Sequence, residues 1–483
     1  MNQPTAAQSG DDAHTTDTFG WGGAATLSPF EALMWRLDRF DNLRAAVTGV
    51  EMLDCSPDRE RLIAAHERGM KALPRLRQKL VTRGNDTVVW QNNPDDNVHR
   101  HLQILNIGPT ASLRDVFDAA QTFSMAPFDR EQSPWAALLL EGLEDGRAAY
   151  VLKLHHAMSD GIGIIQLLSF VHSRTREPGG APASQRRIGA PDPAGSTVIT
   201  PLSTLGSTAR SLGRWTRQAI EAASEESLAG HHEPWVSRAA RYAASLRRVM
   251  APERVPGSPL LAQRSQQWHF DGLDLPLAAL RSAARACGAT VNDAFVSGLL
   301  GAVERYHAAF GTVPEEIPIS IPISIRSEDD GSGGNHFAPA QLVAPLAGSD
   351  PKRRMHRIAA QVRALRSEPA LVTQLRVMSV VASLPTRVAG RALGAITAAN
   401  DLQVSNVPGL RETVYIAGSK VEAFYPFAPL PGCPAMISLV SHEAHCYIGL
   451  NVDTGAFTDT ELLMRCMRES FDEILNLAKE DAN

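Results

Sequence analysis

The stretch Ala148-Ala149-Tyr150-Val151-Leu152-Lys153-Leu154-His155-His156 constrains this chain more than any other. Residues 148–155 are rich in β-formers and run into Ser159-Asp160-Gly161, a turn signal, so the spacing predicts a strand that stops at the histidines. Neighbouring residues on a strand point to opposite faces, so only one of His155 and His156 can face a given cavity. Asp160 follows His156 across a turn that Gly161 can close with positive φ. A carboxylate there can fix the loop, or fix a histidine's tautomer and orientation. A neutral imidazole, with an ordinary pKa of about 6.5, is suited to taking a proton from a hydroxyl. The same letters also fit a surface histidine pair beside a turn. A zinc reading lacks a third ligand at recognisable spacing, so no metal is expected.

Composition excludes several classes. The 483 residues carry 47 Lys plus Arg against 52 Asp plus Glu, a net charge of −5, which excludes a polybasic nucleic-acid binder. Five scattered cysteines without a CxxC pair argue against a disulfide scaffold and a Cys-rich zinc site, and fit a reducing cytoplasm. The first 20 residues hold no Lys or Arg, and therefore lack the basic start of a secretory signal. No run of about 18 apolar residues occurs, so no transmembrane helix is expected, and any contact with a membrane is from its surface.

Helical and strand-like segments alternate along the chain, which predicts an α/β fold with two units. Residues 1–24 read as a disordered tail, 25–172 as a first domain, 173–260 as a linker and helical connector, and 261–483 as a second domain. Helices are expected near 57–70 (N-cap Ser56), 112–124, 204–222, 236–250, 275–287, 290–308, 352–366, 371–399 and 459–477, the last with a capping box from Thr458 to Glu461. Strands are expected at 148–155, 266–270, 317–325, 402–406, 413–418, 435–440 and 445–452. Pro318 and Pro322 imply that 317–325 is an edge or bulged strand. His442 and His445 flank a hairpin tip and are expected in solvent.

His155-His156-x-x-x-Asp160-Gly161 resembles the active-site motif of the CoA-dependent acyltransferases, the superfamily that includes chloramphenicol acetyltransferase and peptide-synthetase condensation domains. Further stretches narrow the resemblance: Pro127-Phe128-Asp129-Arg130, Ser133-Pro134-Trp135, Val291-Asn292-Asp293, Ile321 to Arg326, Gly334-Asn335 and Ser405-Asn406-Val407-Pro408-Gly409. Their order and spacing look like the bacterial wax ester synthase/acyl-CoA:diacylglycerol acyltransferases, over about residues 27–480.

That resemblance implies two chloramphenicol-acetyltransferase-like domains of mixed sheets flanked by helices, with an active-site channel between them. It implies an O-acyltransferase moving a long-chain acyl group from acyl-CoA to diacylglycerol or a fatty alcohol. Acyl-CoA is then a substrate, and no cofactor is expected. His156 would be the general base, His155 would face away and support the strand end, and Asp160 would be an anchor paired with Arg326. Asn292 and Asp293 read either as helix-capping residues or, for Asn292, as a hydrogen-bond donor beside the channel. Trp135 reads first as a core tryptophan. Asn406 and Asn335 sit on loop signatures and could also point into the tunnel. Two readings stay open beside this one: a polar or carrier-bound acceptor, and a non-catalytic lipid-binding relative.

The chain departs from the family at Ser133-Pro134-Trp135, usually Pro-Leu-Trp, and at Ser441-His442-Glu443-Ala444, commonly Ser-Tyr-x-Gly. Both departures bear on substrate preference more than on the reaction. Residues 352–391 carry nine Lys or Arg against Glu368 alone, and Arg214, Arg217, Arg238, Arg241, Arg247 and Arg248 lie in the connector. Such segments read as a membrane- or lipid-droplet-facing surface, as an ordinary solvated face, or as a phosphate site for CoA.

Overall fold

Most of the longer helices in this chain start at a short oxygen-bearing side chain placed just ahead of an amphipathic run. The computed structural model describes residues 24–177, 245, 255–324, 337–348, 350–368, 381–382 and 384–480. Its principal helices are α1 (Pro29–Leu37), α2 (Arg59–Ala72), α3 (Leu113–Met125), α4 (Gly161–Val171), α5 (Leu277–Ala286), α6 (Val291–Ala309), α7 (Pro351–Arg366), α8 (Thr386–Ala398) and α9 (Thr460–Glu480). Ser28 with Glu31, Ser112 with Asp115, and Thr290 with Asp293 form reciprocal capping boxes at α1, α3 and α6. Two caps fall elsewhere than the sequence suggests. Asp58, not Ser56, accepts the Arg61 N–H at the start of α2. Asp459, not Thr458, accepts the Leu462 N–H at α9. In both places the carboxylate stands nearer the first helical residue and takes the free backbone donor. The tail (to residue 23) and the connector helices 204–222 and 236–250 lie outside the described residues, apart from Ser245, which is helical and buried.

The strands are β1 (Ala46–Leu53), β2 (Gln78–Thr82), β3 (Val88–Asn92), β4 (Leu102–Ala111), β5 (Trp135–Leu143), β6 (Ala148–His155), β7 (Trp268–Pro276), β8 (Glu316–Ser324), β9 (Phe337–Pro345), β10 (Leu402–Val407), β11 (Tyr415–Ile416), β12 (Ser419–Phe427), β13 (Ala435–His442) and β14 (His445–Asp453). Two six-stranded mixed sheets result, ordered β11-β12-β1-β6-β5-β4 and β7-β14-β13-β10-β8-β9, beside the small β2-β3 ladder. The α/β expectation holds, and β6 has the bounds read from the sequence. The first sheet is completed from far along the chain: β12 pairs antiparallel with β1, from Thr48 opposite Phe427 to Leu53 opposite Val421.

The two sheets meet through aromatic rings. Phe270 stacks on Phe427 at 4.1 Å between centroids, Phe117 meets Tyr425 edge-on at 5.1 Å, and Tyr425 meets Tyr447 at 5.2 Å. Gly449 permits the approach, because a Cβ there would lie 1.9 Å from the Pro426 carbonyl oxygen. Burying each such ring contributes roughly 1.5–3 kcal/mol.

Pro318 and Pro322 do not make β8 an edge strand. β9 covers its outer side along the full length. On the inner side β8 joins β10 only where Leu402 meets Ile319 and Gln403 meets Ser320. The Pro318 carbonyl accepts the Asp401 N–H at 2.8 Å, so this residue faces β10, as does Pro322 four residues on. The prolines thus remove donors from the inner side, and the strands part beyond Ser320. His442 is buried, not solvated, with Nε2 3.0 Å from the Val421 carbonyl, because β12 packs beside the hairpin. Among the described residues no single helix is long and apolar enough to cross a membrane.

Candidate active site

β6 is clasped by β1 and β5, with Ala46 opposite His155 and Trp135 opposite Leu154. That pairing brings the histidine pair to the end of a central strand and holds it there. The His156 N–H continues the ladder by donating to the Ala45 carbonyl at 2.8 Å.

The two histidines have opposite fates. His155 is fully buried, edge-on to Trp35 at 5.0 Å and to Phe128 at 5.7 Å. Its Nδ1 accepts the Ala157 N–H at 3.0 Å, so Nδ1 carries no proton and the neutral ring carries one on Nε2. Nε2 lies 3.5 Å from Asp38 Oδ1. Asp38 also accepts the Ala45 N–H at 3.1 Å. Burial pushes the Asp38 carboxyl up, but the His155 contact, the Ala45 N–H and the Arg130 charge outweigh it and hold the group below its ordinary value. His156, one residue on, is only partly buried. The pair therefore presents one fully buried residue and one only partly buried, whose Nδ1 is itself inside.

Asp38 was not among the residues singled out from the sequence. Its one signal is an acid directly after an apolar helix, at the C-cap of α1. Lys153, on the same face of β6 as His155, is a second such residue. Its ammonium lies 4.4 Å from the Phe128 ring and donates to the Phe123 and Ala126 carbonyls, and burial pushes its pKa down to about 8.

Asp160 is buried and caps α4, accepting the Gly163 N–H at 3.0 Å. Gly161 is the first residue of that helix and does not have positive φ, contrary to the turn expected from the sequence. Glycine is needed there for another reason. A Cβ would lie 2.8 Å from Val407 Cγ2, so the start of α4 abuts the end of β10. Arg326 and Asn335 lie outside the described residues.

Across that contact, where β8 and β10 part, a cleft of about 130 Å³ is lined by Asn292, Ile321, Pro322, Ile323, Arg366 and Asn406 among others. Asn292 and Asn406, distant in sequence, are brought together here. The Asn292 Nδ2 is buried without a hydrogen-bond partner. Asp293 is not in the cleft; it accepts the Thr290 N–H at 2.8 Å and hydroxyl at 2.7 Å, as the capping reading requires. Trp135 is in the core, stacked between His101 at 4.1 Å and His66 at 5.9 Å, with Nε1 donating to the Leu76 carbonyl at 3.0 Å. Among the described residues no cluster of His, Cys, Asp or Glu could hold a metal ion.

This arrangement belongs to a known kind of protein. The family model of the wax ester synthase/diacylglycerol acyltransferase catalytic domain matches residues 27–295, and that of the family's C-terminal domain matches 333–475. A putative diacylglycerol O-acyltransferase of Mycobacterium tuberculosis H37Rv is 33% identical over 481 residues, covering 98% of this chain and 94% of the relative. A probable diacylglycerol O-acyltransferase, tgs2, of the same strain is 25% identical over 403 residues, covering 81% and 84%. In fold, the chain is similar to the wax ester synthase/diacylglycerol acyltransferase of Marinobacter aquaeolei VT8, with a TM-score of 0.64 at 17% identity over 94% of this chain and 100% of that one. It is also similar to the first condensation domain of the calcium-dependent antibiotic synthetase, with a TM-score of 0.59 at 15% identity over 95% and 98%. By the match of its catalytic stretch and the near full-length likeness to its relatives, the chain belongs to the wax ester synthase/diacylglycerol acyltransferase family.

Proposed function

We propose that the chain transfers a long-chain acyl group from acyl-CoA to the hydroxyl of diacylglycerol or a fatty alcohol, with His156 as general base. Family membership supports the reaction class. The observation that carries the base assignment is the contrast within the pair: His155 is sealed against Trp35, Phe128 and Asp38, while His156 is only partly buried.

In this reading the acceptor hydroxyl gives its proton to the His156 ring as its oxygen attacks the thioester carbonyl. The tetrahedral oxyanion collapses, the carbon–sulfur bond breaks, and the leaving thiolate recovers the proton from the imidazolium. No acyl-enzyme forms. His155 acts as a positioning residue, and Asp160 anchors the loop through the Gly163 N–H. Asn292 and Asn406 offer amide donors along the route of the acyl thioester. The domain division proposed is 25–172 and 261–483, with β11 and β12 lent to the first sheet. The protein works peripherally, from the cytoplasmic side, at a membrane or lipid-inclusion surface.

Purified protein given palmitoyl-CoA with either dipalmitoylglycerol or hexadecanol should yield triacylglycerol or wax ester, and His156→Ala should abolish both products. Turnover near wild type in His156→Ala would remove the base assignment. Product from a polar amine or carrier-bound acceptor, and from neither lipid, would replace the acceptor class.

A further inference from the structure

Helix α8 buries only a narrow stripe. Ala389 and Gly390 pack on α1, where a Cβ at Gly390 would lie 2.8 Å from Leu37 Cδ2. The opposite side is open and apolar: Val388 and Ile396 are 48% and 41% exposed, and Leu384, two residues ahead of the helix, is 39% exposed. Ala395 and Ala399 are exposed beside them. Val388 and Ile396 stand two turns apart on one side of the helix. Arg387 and Arg391, one turn apart, flank that side. Neither pairs with a carboxylate among the described residues, and 386–399 contains no Asp or Glu. Beneath the helix a groove of about 690 Å³ carries the apolar surface inward over Leu43, Trp268 and Leu430; Arg264, Arg387 and Arg391 are on its walls, as are Asp41, which pairs with Arg44, and Asp453, which accepts backbone N–H groups of Ser265 and Gln266.

An open apolar stripe costs solvation in water, and two guanidiniums beside it, with no carboxylate partner among the described residues, call for negative charge. A bilayer carrying anionic phospholipids supplies both, with headgroup phosphates for the arginines and acyl chains for Val388 and Ile396. The geometry points to α8 as the docking helix of this protein, lying flat in the interface of an anionic phospholipid membrane with the groove facing the lipid. The purpose of docking rests on the acyl-transfer reading above; the docking itself does not.

The test is co-sedimentation of the full chain with vesicles of phosphatidylcholine alone and of phosphatidylcholine mixed with phosphatidylglycerol. Binding is expected to the mixed vesicles and to fall about tenfold or more in Arg387→Glu/Arg391→Glu and in Val388→Glu/Ile396→Glu. Melting temperatures of both variants should match the parent, since these side chains are exposed. Both variants should still acylate a water-soluble short alcohol, and lose rate on vesicle-borne diacylglycerol. Vesicle binding that both variants retain would overturn the proposal. So would a dimer in solution that Val388→Glu/Ile396→Glu dissolves without changing vesicle binding. A parent that binds vesicles but transfers no acyl group would leave the docking standing and remove the reaction instead.

Discussion

The two sheets treat their central strands differently. β6 is laddered on both sides, to β1 through the histidine end and to β5 along most of its length. β10 is laddered to β13 from Gln403 to Val407 but touches β8 at only two register positions. One sheet therefore fixes the orientation of a ring at a strand end, and the other gives up hydrogen bonds to open a cleft. Rigidity and opening come from the same architecture, and two prolines facing β10 account for the difference.

The largest expected effect separates the two histidines. His156→Ala should reduce kcat by about 10²–10⁴-fold with the melting temperature unchanged, as measured by product formation and thermal unfolding. His155→Ala should do the reverse in emphasis. It leaves the Asp38 charge buried and opens a cavity beside Trp35, at a cost on the order of 3 kcal/mol by denaturant unfolding. Equal stability of the two variants would erase the contrast between the fully buried and the partly buried residue.

The two halves should also answer pH oppositely. Burial pushes the Asp401 carboxyl up to about 6, against the Ser258 N–H and the Arg264 charge. Its folded state holds the proton more tightly than the unfolded chain does, so stability falls as pH rises from about 4 to 6, by about 2–3 kcal/mol. Asp401→Asn should remove that slope. Asp38 is held below its ordinary value, so its contribution is present above about pH 4 and is lost as pH falls below it. Asp38→Asn should flatten the acid limb alone, measured as unfolding free energy across pH.

A smaller effect tests the seam between the halves. Gly161→Ala places a methyl 2.8 Å from Val407 Cγ2 and should cost about 1–2 kcal/mol or a comparable loss in kcat/KM. Adding Val407→Ala should recover most of it. Failure of that rescue would mean the start of α4 does not bear on β10.

Local rules carried the sequence reading well where local chemistry decides the structure. β6 ends at His155 as read, because an apolar run gives way to turn residues. The Thr290 and Ser112 helix starts follow from a hydroxyl and an acid three residues apart. Contacts between distant segments were illegible. Nothing near His155 names Asp38, whose position beside the ring depends on how α1 packs under the first sheet. β12 carries no mark of the partner it takes in β1. His442 looked solvated because the hairpin tip is legible and the strand beside it is not. At Gly161 the sequence suggests a torsional role, whereas the structure needs the glycine for space, since the neighbour that crowds it arrives from another part of the chain.

The loan of β11 and β12 to the first sheet has a consequence for biogenesis. Until residues 415–427 emerge from the ribosome, β1 has an unpaired rim of backbone donors and acceptors. Most of the polypeptide must be made before its opening half can close. A truncation before Tyr415 would leave that rim open to a neighbouring molecule.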